Sequence, residues 1–183
     1  FSGGILLASG VMYLRLIILL ALFNQELMQQ LAPAFLILAM VAITVGWLWS
    51  RQGDVTDLKT GDMFETKNPL EISAALLFAV LFVAMLVATH LAIKYLGQNG
   101  VYTLASVMGV ADVDPFIMGM AQADTTLTPL HVVASGILVA AASNNVAKGI
   151  YAYTLSSRRA GIQSLIFLVC LAVCGLIPLL LLG

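Results

Sequence analysis

The sequence predicts an all-α polytopic membrane protein with five transmembrane helices and one broken or re-entrant helix. The first reason is composition, because the 183 residues are 61% hydrophobic and only 9% charged, with a mean hydropathy of +1.04. Soluble domains carry about 25% charged residues, so this chain has too few polar side chains to cover a soluble surface. The second reason is length, because six stretches are long enough to span a bilayer, and one of them contains a polar break.

Five of these stretches are mainly apolar, and each reaches the length of about 20 residues that a helix needs to cross the hydrocarbon core. They cover residues 3–23, 31–49, 72–94, 130–151 and 162–182. The sixth, residues 101–122, is interrupted by aspartates and a proline. Together they predict a single membrane domain over residues 1–183, with one sizeable polar loop at residues 51–68.

The distribution of basic residues predicts the topology, because short cytoplasmic loops are rich in Lys and Arg. The loop at residues 51–68 carries three basic residues, whereas the turn at residues 24–30 carries none. Arg158 and Arg159 mark the next informative loop, which should also be cytoplasmic. Both loops can be cytoplasmic only if residues 101–122 enter the membrane and return on the same side. The charges therefore favour five crossings and one re-entrant helix over six crossings.

The break in residues 101–122 is the most informative segment. Gly109 is a residue type that ends helices, and Asp114 followed by Pro115 is typical of a helix start. We therefore predict two short helices separated by non-helical backbone at residues 109–114. At membrane depth such backbone is tolerated where it is buried in protein or lines a wet cavity, as in the broken helices of transporters. The alternative is that Asp114 is only a helix cap and Asp112 only the partner of a buried base.

Arg15 lies near the middle of the first apolar stretch, where a charge costs about 2.5–3.5 kcal/mol on insertion scales. We predict that it pairs with Asp112 or Asp114, because the other carboxylates near the membrane stretches lie at helix ends. Such a pair would suit either a permeation path or a purely structural contact between helices.

A second polar group lies in residues 130–151, where Ser143 and Asn144 precede Lys148. Asn144 and Lys148 are four residues apart and so share one helical face. The structural alternative is a lysine that extends to the interface beside asparagines that join helices. The density of polar residues favours a functional role.

These motifs together resemble a membrane domain of unknown function (family 4010 of such domains) that often follows an MgtC/SapB-like domain in bacterial inner-membrane proteins. The resemblance is carried by Ala8-Ser9 with Met12 and Arg15, by Asn68-Pro69-Leu70-Glu71, by Gly109-Val110-Ala111-Asp112-Val113-Asp114, and by Ser143-Asn144 with Lys148. It differs at Pro115, where the family commonly has alanine. It implies a multi-pass protein of the bacterial inner membrane, an upstream MgtC/SapB-like domain as partner, and a link to magnesium homeostasis. With the start on Phe1, it also predicts that this domain is the C-terminal part of a longer chain.

Several function classes are disfavoured by the sequence. The net charge of −1 excludes a basic surface for binding nucleic acid. The expected partner is the lipid bilayer. We recognise no nucleophile–base pair and no metal-ligand cluster, so we expect neither an enzyme nor a cofactor. Cys170 and Cys174 are expected to be small buried apolar residues rather than metal ligands. Whether copies of the chain form a homo-oligomer is left open.

The leading hypothesis is a domain that moves an ion or small solute through a site at the broken helix. The predicted transport or ion-binding residues are Arg15, Asp112, Asp114, Ser143, Asn144 and Lys148. Two acids and two bases sum to zero charge, so the sign of a bound ion stays open. If a metal ion binds, Asp112 and Asp114 would be its ligands. The alternative is a structural or regulatory membrane protein whose buried ion pairs fix helix packing.

Overall fold

A computed structural model describes residues 2–52, 72–123, 128–156 and 158–182, and every regular element in those ranges is an α-helix. The helices are α1 (Ser2–Phe23), α2 (Gln25–Gln52), α3 (Ile72–Ala111), α4 (Val113–Ala121), α5 (Leu130–Leu155), α6 (Arg158–Leu176) and α7 (Leu179–Leu182). The predicted all-α class is confirmed for this part of the chain. The motif at residues 68–71 and all but the first two residues of the 51–68 loop lie outside the described residues.

Among the described residues, four helices are long and apolar enough to cross a membrane, namely α1, α2, α5 and α6. Each overlaps a predicted apolar stretch, although α2 and α6 begin several residues before the predicted bounds. The last stretch is divided, because α6 ends at Leu176 and the four-residue α7 follows a turn that contains Pro178. Proline has no backbone N–H and disrupts the preceding helical turn, which explains the division. Cys170 and Cys174 are exposed on α6, so their predicted burial is wrong.

The first two helices form a closely packed antiparallel pair. A Cβ atom on Gly3 would lie 2.8 Å from the carbonyl oxygen of Gly46, so the two backbones touch directly. Gly10 lies in the same way against the side chain of Ile43. Small residues allow this approach, which gives membrane helices the van der Waals contact that holds them together.

Asn24 occupies the turn between α1 and α2 and makes two contacts. Its Oδ1 accepts a hydrogen bond from the backbone N–H of Leu27 at 3.1 Å, so it caps the start of α2. Its Nδ2 donates to the carbonyl oxygen of Ala121 at 3.2 Å, which ties the end of α4 to this turn.

We expect Asn24→Ala to lower the free energy of unfolding by about 1 kcal/mol or more, since it removes an N-cap and the contact with α4. Asn24→Asp is the matched control, because its carboxylate still caps α2 but cannot donate to Ala121. Unfolding in a denaturing-detergent titration, followed by circular dichroism, measures both. Equal stability of Asn24→Ala and the wild type would contradict the role of this turn.

α3 bends sharply at Gly97, whose φ of 59° and ψ of −141° lie outside the helical region. Glycine adopts this conformation readily, whereas a side chain with a Cβ would be strained there. The bend separates the first part of α3 from its C-terminal arm, residues 98–111.

The C-terminal arm of α3 and the following α4 form a helical hairpin, which we define as residues 98–121. Val101 from the arm and Phe116 and Met120 from α4 all surround Gly136 of α5. The break at Asp112 lies between these contacts along the chain, and the two helices also pack on each other. The chain therefore doubles back at Asp112, which we call the hairpin tip.

The core lies where the hairpin meets α1, α2 and α5. Its largest fully buried side chains include Tyr13 of α1, Phe35 of α2 and Phe116 of α4. The opposite faces of the long helices expose large apolar side chains such as Val11, Ile18 and Leu22. Exposed apolar faces on helices of this length are typical of contact with a lipid bilayer.

Candidate functional site

The hairpin tip consists of Asp112, the single residue between α3 and α4. Its φ of −151° and ψ of 115° are extended, and its side chain accepts a hydrogen bond from the backbone N–H of Asp114 at 3.2 Å. Asp112 is therefore the N-cap of α4. The predicted break between two helices is confirmed, but it is much shorter than the predicted residues 109–114. Asp114, predicted as the cap, lies in the first turn of α4, and Pro115 follows it where no intrahelical N–H bond is needed.

Gly109 is helical, so its predicted role as a helix end is wrong. A Cβ atom at this position would overlap the carbonyl oxygen of Ala140 and would lie 2.8 Å from the Cβ of Ser143. Glycine is needed here because the arm of α3 packs its backbone directly onto α5. Gly109 therefore allows two helices to pack closely and does not end a helix.

Arg15 forms a salt bridge with Asp114, so the prediction that Arg15 pairs with an aspartate of the break is confirmed. The Asp114 side chain is only 15% exposed, whereas that of Arg15 is 57% exposed. The second carboxylate oxygen of Asp114 is buried and has no hydrogen-bond partner among the described residues. The pair connects the middle of α1 to the first turn of α4, next to the hairpin tip.

Ser143 and Asn144 attach α5 to the arm of α3. Ser143 Oγ donates to the carbonyl oxygen of Ser106 at 2.6 Å, and Asn144 Nδ2 donates to that of Gly109 at 2.9 Å. The Gly109 carbonyl belongs to the last turn of α3 and lacks an intrahelical partner, so the asparagine satisfies a helix end. The Oδ1 atom of Asn144 is buried without a partner in the described part of the chain.

Lys148 lies one turn beyond Asn144 and is half-buried. Its Nζ contacts the thioether sulfur of Met12 at 3.2 Å, and it lies within electrostatic range of Arg15. Within the described ranges, no carboxylate forms a salt bridge with it. The alternative in which Asp112 is the partner of a buried base is therefore wrong, since Asp112 is exposed and caps α4.

The six predicted site residues thus gather around the hairpin tip but are used unequally. Five make direct contacts that join helices, namely Arg15, Asp114, Ser143, Asn144 and Lys148. The sixth, Asp112, caps α4 at the hairpin tip. The described residues contain no group of three or more His, Cys, Asp or Glu side chains that could hold a metal ion.

One buried contact escaped the sequence analysis. Asn145 Nδ2 donates to the hydroxyl of Tyr13 at 2.5 Å, and both residues are almost completely buried. The ring of Tyr13 also packs against Phe35, with centroids 5.5 Å apart. The signal available was a second asparagine beside Asn144, since a buried amide in a membrane helix needs a polar partner. Its partner depends on how α1 and α5 meet, which local sequence does not specify.

Fold and site together define a multi-pass helical membrane domain in which an ion pair joins α1 to a helical hairpin. The chain belongs to the family described as a domain of unknown function (DUF4010), whose match covers residues 1–156. A similar protein, described as an uncharacterized protein of Aquifex aeolicus (strain VF5), is 29% identical over 164 residues, which cover 87% of this chain and 69% of that protein. No solved structure matches the chain significantly.

Proposed function

We propose that this domain moves a small solute or ion across the bacterial inner membrane, with its site at the hairpin tip. The observation that carries the proposal is the salt bridge between Arg15 and Asp114, which joins α1, a candidate membrane span, to the first turn of α4. Beside it, buried oxygens of Asp114 and Asn144 lack partners among the described residues. Charged and unsatisfied polar groups at membrane depth are costly, and their retention indicates a function.

In this proposal five helices cross the membrane and the hairpin is re-entrant, entering and leaving on the outer side. One support is that Arg51 lies in the last turn of α2, where it stacks 3.7 Å above the Trp47 ring, and that Arg158 begins α6. Both fall at junctions that the basic-residue rule assigns to the cytoplasm. A second support is that both halves of the hairpin contact Gly136 of α5, on either side of the tip.

The contacts suggest how the site would work. A salt bridge between a hairpin and a neighbouring helix can open when a substrate offers Arg15 or Asp114 an alternative partner. The free oxygens of Asp114 and Asn144 can accept hydrogen bonds from water or a substrate donor. The bonds from Ser143 and Asn144 hold the arm of α3 in place while this exchange occurs.

The family resemblance supports two wider parts of the proposal. An MgtC/SapB-like domain would precede this domain, and the whole protein would contribute to magnesium homeostasis in the inner membrane. Direct binding of Mg²⁺ is not part of the proposal, since Asp112 is engaged as a cap and Asp114 by Arg15. In this scheme the domain is not an enzyme and requires no cofactor.

A second candidate function is structural or regulatory, and the contact between Tyr13 and Asn145 favours it. That contact and the Arg15–Asp114 pair both fix α1 against its neighbours. Buried polar pairs can set the register of packed helices without moving any substrate. Because Arg15 is 57% exposed, a second copy of the chain could cover it, so this alternative includes a homo-oligomer.

The transport proposal is tested by flux into proteoliposomes, with Na⁺, Mg²⁺ and chloride as probes. We expect Lys148→Met to reduce the flux of the transported probe by about tenfold or more, because it removes a charge from the site. Arg51→Met is the matched control, since Arg51 lies at the end of α2, and it should retain flux. Circular dichroism and thermal unfolding check that both variants fold.

Two results would count against the proposal. Wild-type protein that carries none of the three probes would favour the structural or regulatory role. A folded Lys148→Met protein with unchanged flux would remove Lys148 from the site.

A further inference from the structure

Arg15 and Lys148 bring two positive charges together beside one face of α1. The Nζ atom of Lys148 lies 3.2 Å from the thioether sulfur of Met12, and Met12 precedes Arg15 by three residues. Residues at this spacing are neighbours on a helix surface, with their Cβ atoms about 5–6 Å apart. The two cations therefore lie about one helical turn from each other, within electrostatic range.

Lys148 reaches this position by extending away from the nearer end of α5. Side chains on a helix tilt towards its N-terminus, and Lys148 lies in the C-terminal half of α5. Met12, which it contacts, lies in the middle of α1. The ammonium group is therefore held at membrane depth and is not extended towards the interface, as the structural alternative required.

The acids near this place do not balance both bases. Asp114 is paired with Arg15, and among the described residues no carboxylate forms a salt bridge with Lys148. Asp112 is exposed, and its Oδ1 accepts the backbone N–H of Asp114 as the cap of α4. The contact of Lys148 with Met12 is weak compensation, because a thioether sulfur is a poor acceptor. One positive charge is therefore left over beside the salt bridge, which favours an anion there.

Arg15 supplies both binding groups and access from outside the protein. Its side chain is 57% exposed, and its guanidinium has five N–H donors, of which the contact with Asp114 uses only part. A charged side chain at membrane depth faces either protein or a water-filled cavity. The exposed side of Arg15 is therefore expected to be hydrated, so a dissolved ion can reach it. The remaining donors of Arg15 and Lys148 are then available to the same ion.

We propose that Arg15 and Lys148 together bind one small monovalent inorganic anion beside the Arg15–Asp114 salt bridge. One negative charge balances the sum of the two bases and Asp114. A cation would add to the excess positive charge, and a divalent anion would leave excess negative charge next to Asp114. The inference gives the sign and the class of ion for the proposed transport site and so rests on that function.

Thermal unfolding tests the wild-type protein with chloride as the probe, in nanodiscs of phosphatidylcholine. Sodium chloride, choline chloride and sodium gluconate are compared at equal ionic strength, so that general screening is the same. A ligand that binds only the folded state raises its Tm. We expect both chloride salts to raise the Tm by about 3 °C or more over gluconate, whose anion is bulky and organic. Equal Tm values in chloride and gluconate would overturn the proposal, as would a rise that followed sodium and not chloride.

Variants assign the effect to Lys148. Lys148→Met should reduce the chloride-dependent rise to about 1 °C or less, whereas Lys148→Arg should keep most of it. In gluconate, Lys148→Met should be at least as stable as the wild type, because the uncompensated charge is gone. Arg159→Met is the matched control, since Arg159 is an exposed cation in the first turn of α6, and it should keep the full rise. A folded Lys148→Met protein with the wild-type rise would overturn the proposal.

Two further measurements apply even if Lys148→Met fails to fold. The chloride NMR line should be broader with wild-type nanodiscs than with empty ones, and an unchanged line would overturn the proposal. Phosphatidylglycerol in the nanodisc should leave the chloride-dependent rise intact. If it abolished the rise, a lipid phosphate would be the occupant, and the free anion would be rejected.

Flux measurements separate this inference from the transport function. Chloride binding without flux of any probe would support the anion site and contradict transport alone. Flux of Na⁺ or Mg²⁺ without chloride-dependent stabilisation would overturn the anion site and leave transport in place.

Discussion

Gly109→Ala is expected to lower the free energy of unfolding by about 1–3 kcal/mol, the usual cost of adding a carbon to a tightly packed contact. The new methyl group would overlap the carbonyl oxygen of Ala140, which is backbone and cannot rotate away. Alanine is otherwise favoured over glycine in a helix by about 1 kcal/mol. A loss of stability would therefore report the contact between α3 and α5. A denaturing-detergent titration followed by circular dichroism measures it.

Gly4→Ala is the matched control, because a Cβ atom at Gly4 of α1 would have no atom within 4 Å. We expect this variant to be neutral or stabilised by up to about 1 kcal/mol, since only helix propensity changes. If Gly109→Ala proved as stable as Gly4→Ala, the direct packing of the hairpin on α5 would be contradicted.

The sequence was sufficient for the features that depend on local composition. Long apolar stretches identify α1, α2, α5 and α6, because a helix that faces lipid must be apolar along most of its length. The pairing of Arg15 with an aspartate of the break could also be predicted, because a charge at bilayer depth needs a partner and few carboxylates were available.

The details of the break could not be derived in the same way. Asp112 and Asp114 are equally good caps by residue type, and which of them begins α4 depends on how the hairpin docks. Glycine at position 109 is compatible with either a helix end or a close helix contact, and the position of the neighbouring helix decides between these roles. The bend at Gly97 likewise depends on where the two parts of α3 must run.

The last prediction concerns the Arg15–Asp114 pair. Arg15→Met alone is expected to cost about 3–5 kcal/mol of stability, because it leaves a largely buried carboxylate without its counter-ion. Asp114→Leu alone should be similarly harmful, because Arg15 would then lie at membrane depth unpaired. The double variant Arg15→Met with Asp114→Leu should be close to wild-type stability, since both charges are gone. Unfolding titrations of the four proteins give the coupling energy between the two residues.

The double variant also separates the two candidate functions. If the pair serves transport, the double variant should fold and yet carry no probe in proteoliposomes. It folds because neither charge is left unpaired, and it does not transport because the site has lost both charged groups. If the pair serves packing alone, any flux of the wild type should survive in the double variant, since its helices remain in register. A double variant that folds and transports would therefore reject the pair as the site. Energies that simply add in the four proteins would contradict the pairing itself, because independent residues show no coupling.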